Sequence, residues 1–297
     1  MALSKTLLFS AFASLFFPLV LGTNHLTGVV ASNSIGGTGT YTCRTQAQWN
    51  QVANDAKGQG FTAIRLEGFD CNALDLASSA VASAGLKILA GIYVDGTIAN
   101  SLVSINNDVQ TFRAAYAKYG AERYLGLTIG NEVADSVGNI MAKVYDVRGY
   151  LGSVGVSTPV STVHNWVTVR DNPDLCGADF AAANAHAFYD GNFASSQAGS
   201  FVFNTAVPAL KAACPGKKLY IGESGWPSRG PSNNKAVASV TDEHNAISSL
   251  NCAAKQDTSV SVFAFEYDDQ LWKGTTNEQS FGIFGKITLN GDALNAC

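Results

Sequence analysis

Two glutamates in this chain close apolar runs and carry flanks suited to acid–base chemistry. Glu132 ends the run Ile129-Gly130-Asn131-Glu132, and Glu223 sits between Ile221-Gly222 and Ser224-Gly225-Trp226. A carboxylate at the end of an apolar strand loses hydration, so it must be paired or used. For one such residue, an ion pair with lysine or arginine is the simpler reading. Two of them facing one another fit the cleavage of a glycosidic bond. One protonated carboxyl then protonates the leaving oxygen while one carboxylate attacks the anomeric carbon, and a carboxyl separation of roughly 5–5.5 Å retains configuration.

The elements that must hold this pair follow from periodicity. Short β-branched runs at 26–32, 61–67, 87–94, 124–130, 157–163, 180–188, 218–222 and 260–266 read as strands. Helical spacing fills 45–57, 73–85, 106–119, 136–154, 197–213 and 238–255, with Asn107 or Asp108 placed to start the third helix and Gly120 to end it. The 167–179 stretch, with Asn172-Pro173 and Gly177, reads as a loop holding at most a short helix. Eight strand–helix units predict one α/β domain over residues 23–297, a (β/α)8 TIM barrel, with its chemistry at the C-terminal ends of the strands. An open nucleotide-binding sheet is the alternative. Its only candidate loop, Gly36-Gly37-Thr38-Gly39, lacks both phosphate-binding spacings.

Residues 1–22 read as a secretory signal peptide, with Lys5 ahead of an apolar run too short to span a bilayer. The C-terminus carries no hydrophobic tail of the kind a lipid anchor requires. The protein is therefore expected to be secreted, extracellular or in a cell wall, with no membrane partner after signal cleavage. A formal net charge of −4 argues against nucleic acid as a partner. Cys43, Cys71, Cys176, Cys214, Cys252 and Cys297 suggest disulfides in an exported chain. The strand map pairs Cys43 with Cys71, Cys176 with Cys214, and Cys252 with Cys297. Neither cysteines nor histidines show metal-ligand spacing, so no metal or other cofactor is expected. No N-glycosylation sequon occurs, and the chain is expected to act as a monomer.

Asn131-Glu132 after the fourth strand and Glu223-Ser224-Gly225-Trp226-Pro227-Ser228 after the seventh resemble glycoside hydrolase family 17. That family holds plant and fungal β-1,3-glucanases and fungal β-1,3-glucanosyltransferases. The likeness extends to Gly28-Val29 and Trp272-Lys273. It implies Glu132 as acid/base, Glu223 as nucleophile, and Asn131 on the sugar 2-hydroxyl. It implies β-1,3-glucan as substrate, with the glucosyl intermediate passing to another glucan or to water. A plain endo-glucanase, a glycosidase for another β-glycan, and a wall-binding lectin on an inactive barrel are the competing readings.

Two stretches depart from the family pattern. Asn184-Ala185-His186-Ala187-Phe188-Tyr189 stands where many plant members have tyrosine-proline, so His186 or Tyr189 is a candidate to orient the nucleophile. In Asp268-Asp269-Gln270-Leu271-Trp272-Lys273, Gln270 occupies an expected acidic position, leaving Lys273 and Glu266 as rim candidates. Tyr93, Trp166, Phe188, Tyr189, Trp226, Tyr267 and Trp272 fall at or beyond strand ends and are candidate sugar platforms, whereas Trp49 reads as core.

Overall fold

The computed structural model describes residues 24–297, so the signal-peptide expectation for 1–22 lies outside the described residues. Elements follow in the order β1 (Gly28–Val30), α1 (Gln46–Gly58), β2 (Ala63–Arg65), α2 (Ala73–Ala84), β3 (Lys87–Ile92), α3 (Leu102–Tyr119), β4 (Tyr124–Asn131) and α4 (Val137–Ser153). Then come β5 (Val160–Asn165), α5 (Trp166–Asp171), β6 (Ala181–Asn184), α6 (Ala187–Asp190), α7 (Ala198–Ser200), α8 (Val207–Ala213), β7 (Leu219–Gly225), α9 (Val240–Gln256) and β8 (Val260–Phe265). The eight strands form a closed barrel in sequence order, every neighbouring pair parallel, with β8 returning to β1. The expected (β/α)8 barrel is the fold.

Parallel strands covered on both faces should be almost continuously apolar; β3 beyond Lys87 and β8 are, while β7 is buried throughout although it carries Glu223 and Ser224. Val30, Ala63, Leu89, Val163, Phe180, Tyr220 and Phe263 form one buried cluster drawn from around the ring, which fills the barrel interior. The large rings need room, and Gly28 supplies some: a Cβ there would lie 2.5 Å from the Phe263 ring. Trp49, Val52 and Ala56 on the buried face of α1 belong to the larger core outside the strands. A capping box starts that helix, with Thr45 and Gln48 each satisfying the other's backbone N–H.

Several boundaries differ from the sequence expectation for identifiable reasons. Helix α3 starts at Leu102 behind Ser101, not at Asn107 or Asp108. Leu102 and Val103 are exposed, so the first turn adds nothing to the apolar period. Strand β5 begins at Val160 because Pro159 has no N–H; its carbonyl instead accepts from Leu127 at 2.9 Å. Strand β6 ends at Asn184, and the chain turns through Ala185 and His186 into α6. Ala185, Ala187 and Phe188 are as buried as strand residues, which made the apolar run look longer than the strand. The 197–213 segment runs through α7, a π-helical stretch Phe201–Ala206 and α8, where Pro208 cannot donate a helical bond.

Disulfides join Cys43–Cys71, Cys176–Cys214 and Cys252–Cys297, with Cα atoms 5.4, 5.2 and 5.4 Å apart. The first ties the loops that follow β1 and β2 at the C-terminal end of the barrel. Among the described residues, no helix is long and apolar enough to cross a membrane.

Candidate active site

The C-terminal end of the barrel holds a cavity of about 620 Å³ lined by residues that include Glu67, Asn131, Glu132, Asn184, His186, Glu223 and Lys273. Strand register shifts where these side chains enter: between Thr128 and Asn131 on β4, Ala183 and Asn184 on β6, and Ile221 and Ser224 on β7. Bulges of this kind re-aim side chains beside functional sites. Glu132 itself adopts φ 52°, an unusual backbone state for a non-glycine, while its N–H donates to Val163 O at 2.8 Å.

Arg65 lies at the centre of the site. It is 1 % exposed, and its Nη1 donates to Glu223 Oε1 at 2.6 Å and to Glu67 Oε1 at 2.7 Å. Its Nη2 donates to Asn131 Oδ1 at 3.0 Å. On the other oxygen of Glu223, Oε2, His186 Nε2 sits 3.3 Å away. Asn184 Nδ2 donates to both Asn131 Oδ1 and Glu132 Oε1, each at 3.0 Å.

These surroundings drive the two glutamates apart. Burial opposes charge on Glu223, but the Arg65 guanidinium and the His186 hydrogen bond outweigh it and hold the carboxyl well below its usual range. For Glu132, burial and the nearby Glu223 charge raise the pKa, and the Asn184 hydrogen bond only partly offsets them. One carboxyl is thus held ionised and the other favoured to carry a proton, which is the division of labour glycoside cleavage requires.

A family model described as the BtgE/BtgC glycoside hydrolase domain matches residues 33–283. The chain belongs to the BtgE/BtgC glycoside hydrolase family. Among its relatives are a cell surface mannoprotein of Candida albicans and a probable family 17 glucosidase of Saccharomyces cerevisiae. The first is 34 % identical, over 82 % of this chain and 63 % of the relative. The second is 33 % identical, over 78 % and 57 %. The chain thus spans about three fifths of the length of these curated relatives. A glycoside hydrolase family 17 β-1,3-glucanosyltransferase from Rhizomucor miehei shares the fold, with a TM-score of 0.75 at 20 % identity. That match covers 93 % of this chain and all of the other.

In this member of the BtgE/BtgC glycoside hydrolase family the sequence candidates divide by position. Trp166, His186, Tyr189 and Lys273 line the cavity with the two glutamates and Asn131. Tyr189 does not reach the nucleophile candidate, because its hydroxyl donates to Glu278 across the cleft. Lys273 Nζ pairs with Glu266 Oε1 at 2.7 Å. Glu266 is therefore a buried partner below the rim and not a rim residue, with burial pushing its carboxyl to about 7 against the pull of Lys273. Tyr93 and Trp272 line a second cavity of about 750 Å³, together with Tyr41 and Asp70. Glu67 lines both cavities and joins them.

Three platform expectations are corrected. Trp226 is 0 % exposed, donates Nε1–H to Val237 O at 2.7 Å and packs edge-on to Phe188, so it has no open face for a sugar. Phe188 is buried with it. Tyr267 points away from the cavities, its hydroxyl on Asp55 at 2.6 Å and its ring against Phe284. The string after Glu223 is therefore largely a packing device. Ser224 Oγ donates to Ala185 O at 2.8 Å, and a Cβ on Gly225 would run into the Phe265 carbonyl.

Gln270 has its own logic. Its Nε2 donates to Asp268 Oδ1 at 2.7 Å, and its Oε1 accepts from Trp272 Nε1 at 2.8 Å. An ionised acid could accept from the tryptophan but would repel Asp268.

Arg65, Glu67 and Asn184 escaped the sequence reading. One signal for the first two was present, because FTAIRLE places charges inside an otherwise apolar strand, where they need partners. Asn184 stood among alanines and gave no such sign.

Proposed function

We propose that this protein is a retaining β-1,3-glucan glycosidase whose glucosyl intermediate passes to another glucan chain or to water. The observation that carries the reading is the opposed polarisation of Glu132 and Glu223 at one cavity. The substrate class is supported by the family and by the Rhizomucor miehei neighbour, an active-site mutant of which forms a complex with laminaritriose.

In the first half-reaction, Glu223 attacks the anomeric carbon while Glu132 gives its proton to the departing glycosidic oxygen. The C–O bond to the leaving sugar breaks as the bond to Glu223 forms. Asn131 has its Oδ1 occupied by Arg65 and Asn184, which leaves its NH₂ to donate to the sugar 2-hydroxyl. In the second half, Glu132 takes a proton from water or an incoming hydroxyl, and that oxygen displaces Glu223. His186 orients the nucleophile, while Trp166 and Tyr189 offer stacking faces at the same cavity. A held acceptor competes with water through the effective concentration that orientation provides.

Export to the cell surface or wall fits the disulfides and the name of the Candida relative. Incubation with laminaritetraose at about 1 mM, a typical upper Michaelis concentration, tests the function. Products longer than the substrate support transfer, and only shorter ones at every concentration leave an endo-glucanase. No turnover at all would refute the proposal.

A further inference from the structure

Glu67 is the third carboxylate of the site and the one with no role so far. It follows β2 by two residues and forms the point at which the two cavities meet. Its Oε1 and the Oε1 of Glu223 are held by the same nitrogen of Arg65, at 2.7 and 2.6 Å. The two carboxyls thus converge on one guanidinium nitrogen, and each shifts the proton affinity of the other. Two carboxylates have only acceptors, so a bond between them requires a proton on one. Glu223 faces Arg65 and His186, both of which favour its charge, and so the proton belongs to Glu67.

We infer that Glu67 works as a protonated carboxylic acid that donates a hydrogen bond to Glu223 and fixes the position of the nucleophile at the junction of the two cavities. The inference rests on Glu223 being the nucleophile. Glu67 is a positioning residue with respect to the covalent step. Ionising it would set two negative charges on one Arg65 nitrogen and drive the Glu223 oxygen from its place.

The other charged groups around it do not prevent this. Arg65 on β2 and Lys273 after β8 favour its ionisation, and Glu223 on β7 opposes it. Glu132, His186 and Glu278 share its first cavity, and Asp70, Asp95 and Asp108 its second. Surrounding protein and the Glu223 charge together raise the Glu67 pKa.

The test uses a 2-deoxy-2-fluoro laminaribiosyl donor whose leaving group departs without a proton. Glu132 then drops out of the measured rate, and the label stops at the covalent intermediate. Wild-type labelling of Glu223 should slow as the pH climbs through the ionisation of Glu67. Glu67→Gln keeps a donor but cannot ionise, so its profile should be flat over that range. Normalised at about pH 6, the ratio of variant to wild-type rates should grow about tenfold per pH unit above that ionisation. Glu67→Ala, which cannot titrate either, must give the same flat profile and serves if the glutamine variant does not fold. Superimposable profiles of wild type and variant, with Glu223 labelled, would overturn the inference alone. A label on any other residue would overturn the nucleophile assignment and this inference with it.

Discussion

Arg65 Nη1 lies 2.6 Å from Glu223 Oε1, with both side chains enclosed by the barrel end. The pair gives Glu223, the proposed nucleophile, its charge at a place where burial alone would remove it. Arg65→Met should therefore cost about 3–5 kcal/mol, the usual penalty for stranding a buried charge. The lowered Glu223 pKa contributes stability that is present above the unfolded value and lost as pH falls through the folded one. Without Arg65 the acid limb of activity should move to higher pH. Urea unfolding and a pH–rate profile measure the two effects, and an unchanged acid limb would count against this account of the charge.

The two glutamates should fail in different ways. Glu223→Ala is expected to fold and to lose on the order of 10⁴–10⁶ in kcat, as when a nucleophile is removed. Glu132→Ala should slow glucan cleavage by about 10²–10⁴ yet keep far more activity on substrates with self-sufficient leaving groups. Proton NMR of fresh product should show the retained anomer. The inverted anomer would disprove the covalent route.

Buried tryptophan and open tryptophan should separate cleanly. Trp226→Ala removes a fully enclosed ring and its bond to Val237, and should cost about 3–5 kcal/mol of stability. Trp272→Ala, at the wall of the second cavity beside Tyr41, should cost less, about 1–2 kcal/mol, because it leaves the buried Gln270 Oε1 without its donor. It should lower kcat/KM for laminaritetraose about tenfold, equivalent to about 1.4 kcal/mol of lost contact. Thermal melts and oligosaccharide kinetics of the two variants check the contrast.

Glu243 supplies a pH test remote from the cavities. It is fully buried on α9, next to Lys286, which also holds Asp269 at 2.8 Å and Ser228 at 2.7 Å. Burial raises its carboxyl to about 8 even against the Lys286 charge. An unfolded glutamate titrates near about 4.3. Stability tied to this proton is therefore complete below that value and lost as pH climbs through about 8. In Glu243→Gln that loss disappears, so the variant should gain several degrees of Tm relative to wild type between about pH 5 and about pH 8. A Tm difference independent of pH would contradict it.

The barrel, and the two glutamates that line one cavity at its end, were legible because their signals are local. Glu132 and Glu223 each stand at the end of an apolar run, and the alternation of strand and helix periods specifies the closed sheet. Trp226 misled because a residue two or three places after a nucleophile looks like a binding platform. Its enclosure, its bond to Val237 and the packing of Phe188 against it show the ring facing inward. Arg65 and Asn184 act through partners on other strands, and a single sequence does not display such pairings. The start of α3 was missed because Leu102 and Val103 face solvent.

The two cavities share Glu67 and the segment after β8, which gives Lys273 to the first and Trp272 to the second, and otherwise take their walls from different strand ends. Asn131, Trp166, His186 and Tyr189, at or after β4 to β6, line the first; Tyr41, Asp70 and Tyr93, after β1 to β3, line the second; Glu67 belongs to both. The Cys43–Cys71 bond staples the loops that carry Tyr41 and Asp70 to each other. For protein engineering the stapled loops form one unit whose outside anchor is the segment after β8, through Asp268 and Asp269. An exchange of those loops that keeps Glu67 and the Asp268 and Asp269 contacts would reshape the second cavity alone, while Glu132, just past β4, and Glu223, on β7, stay in place.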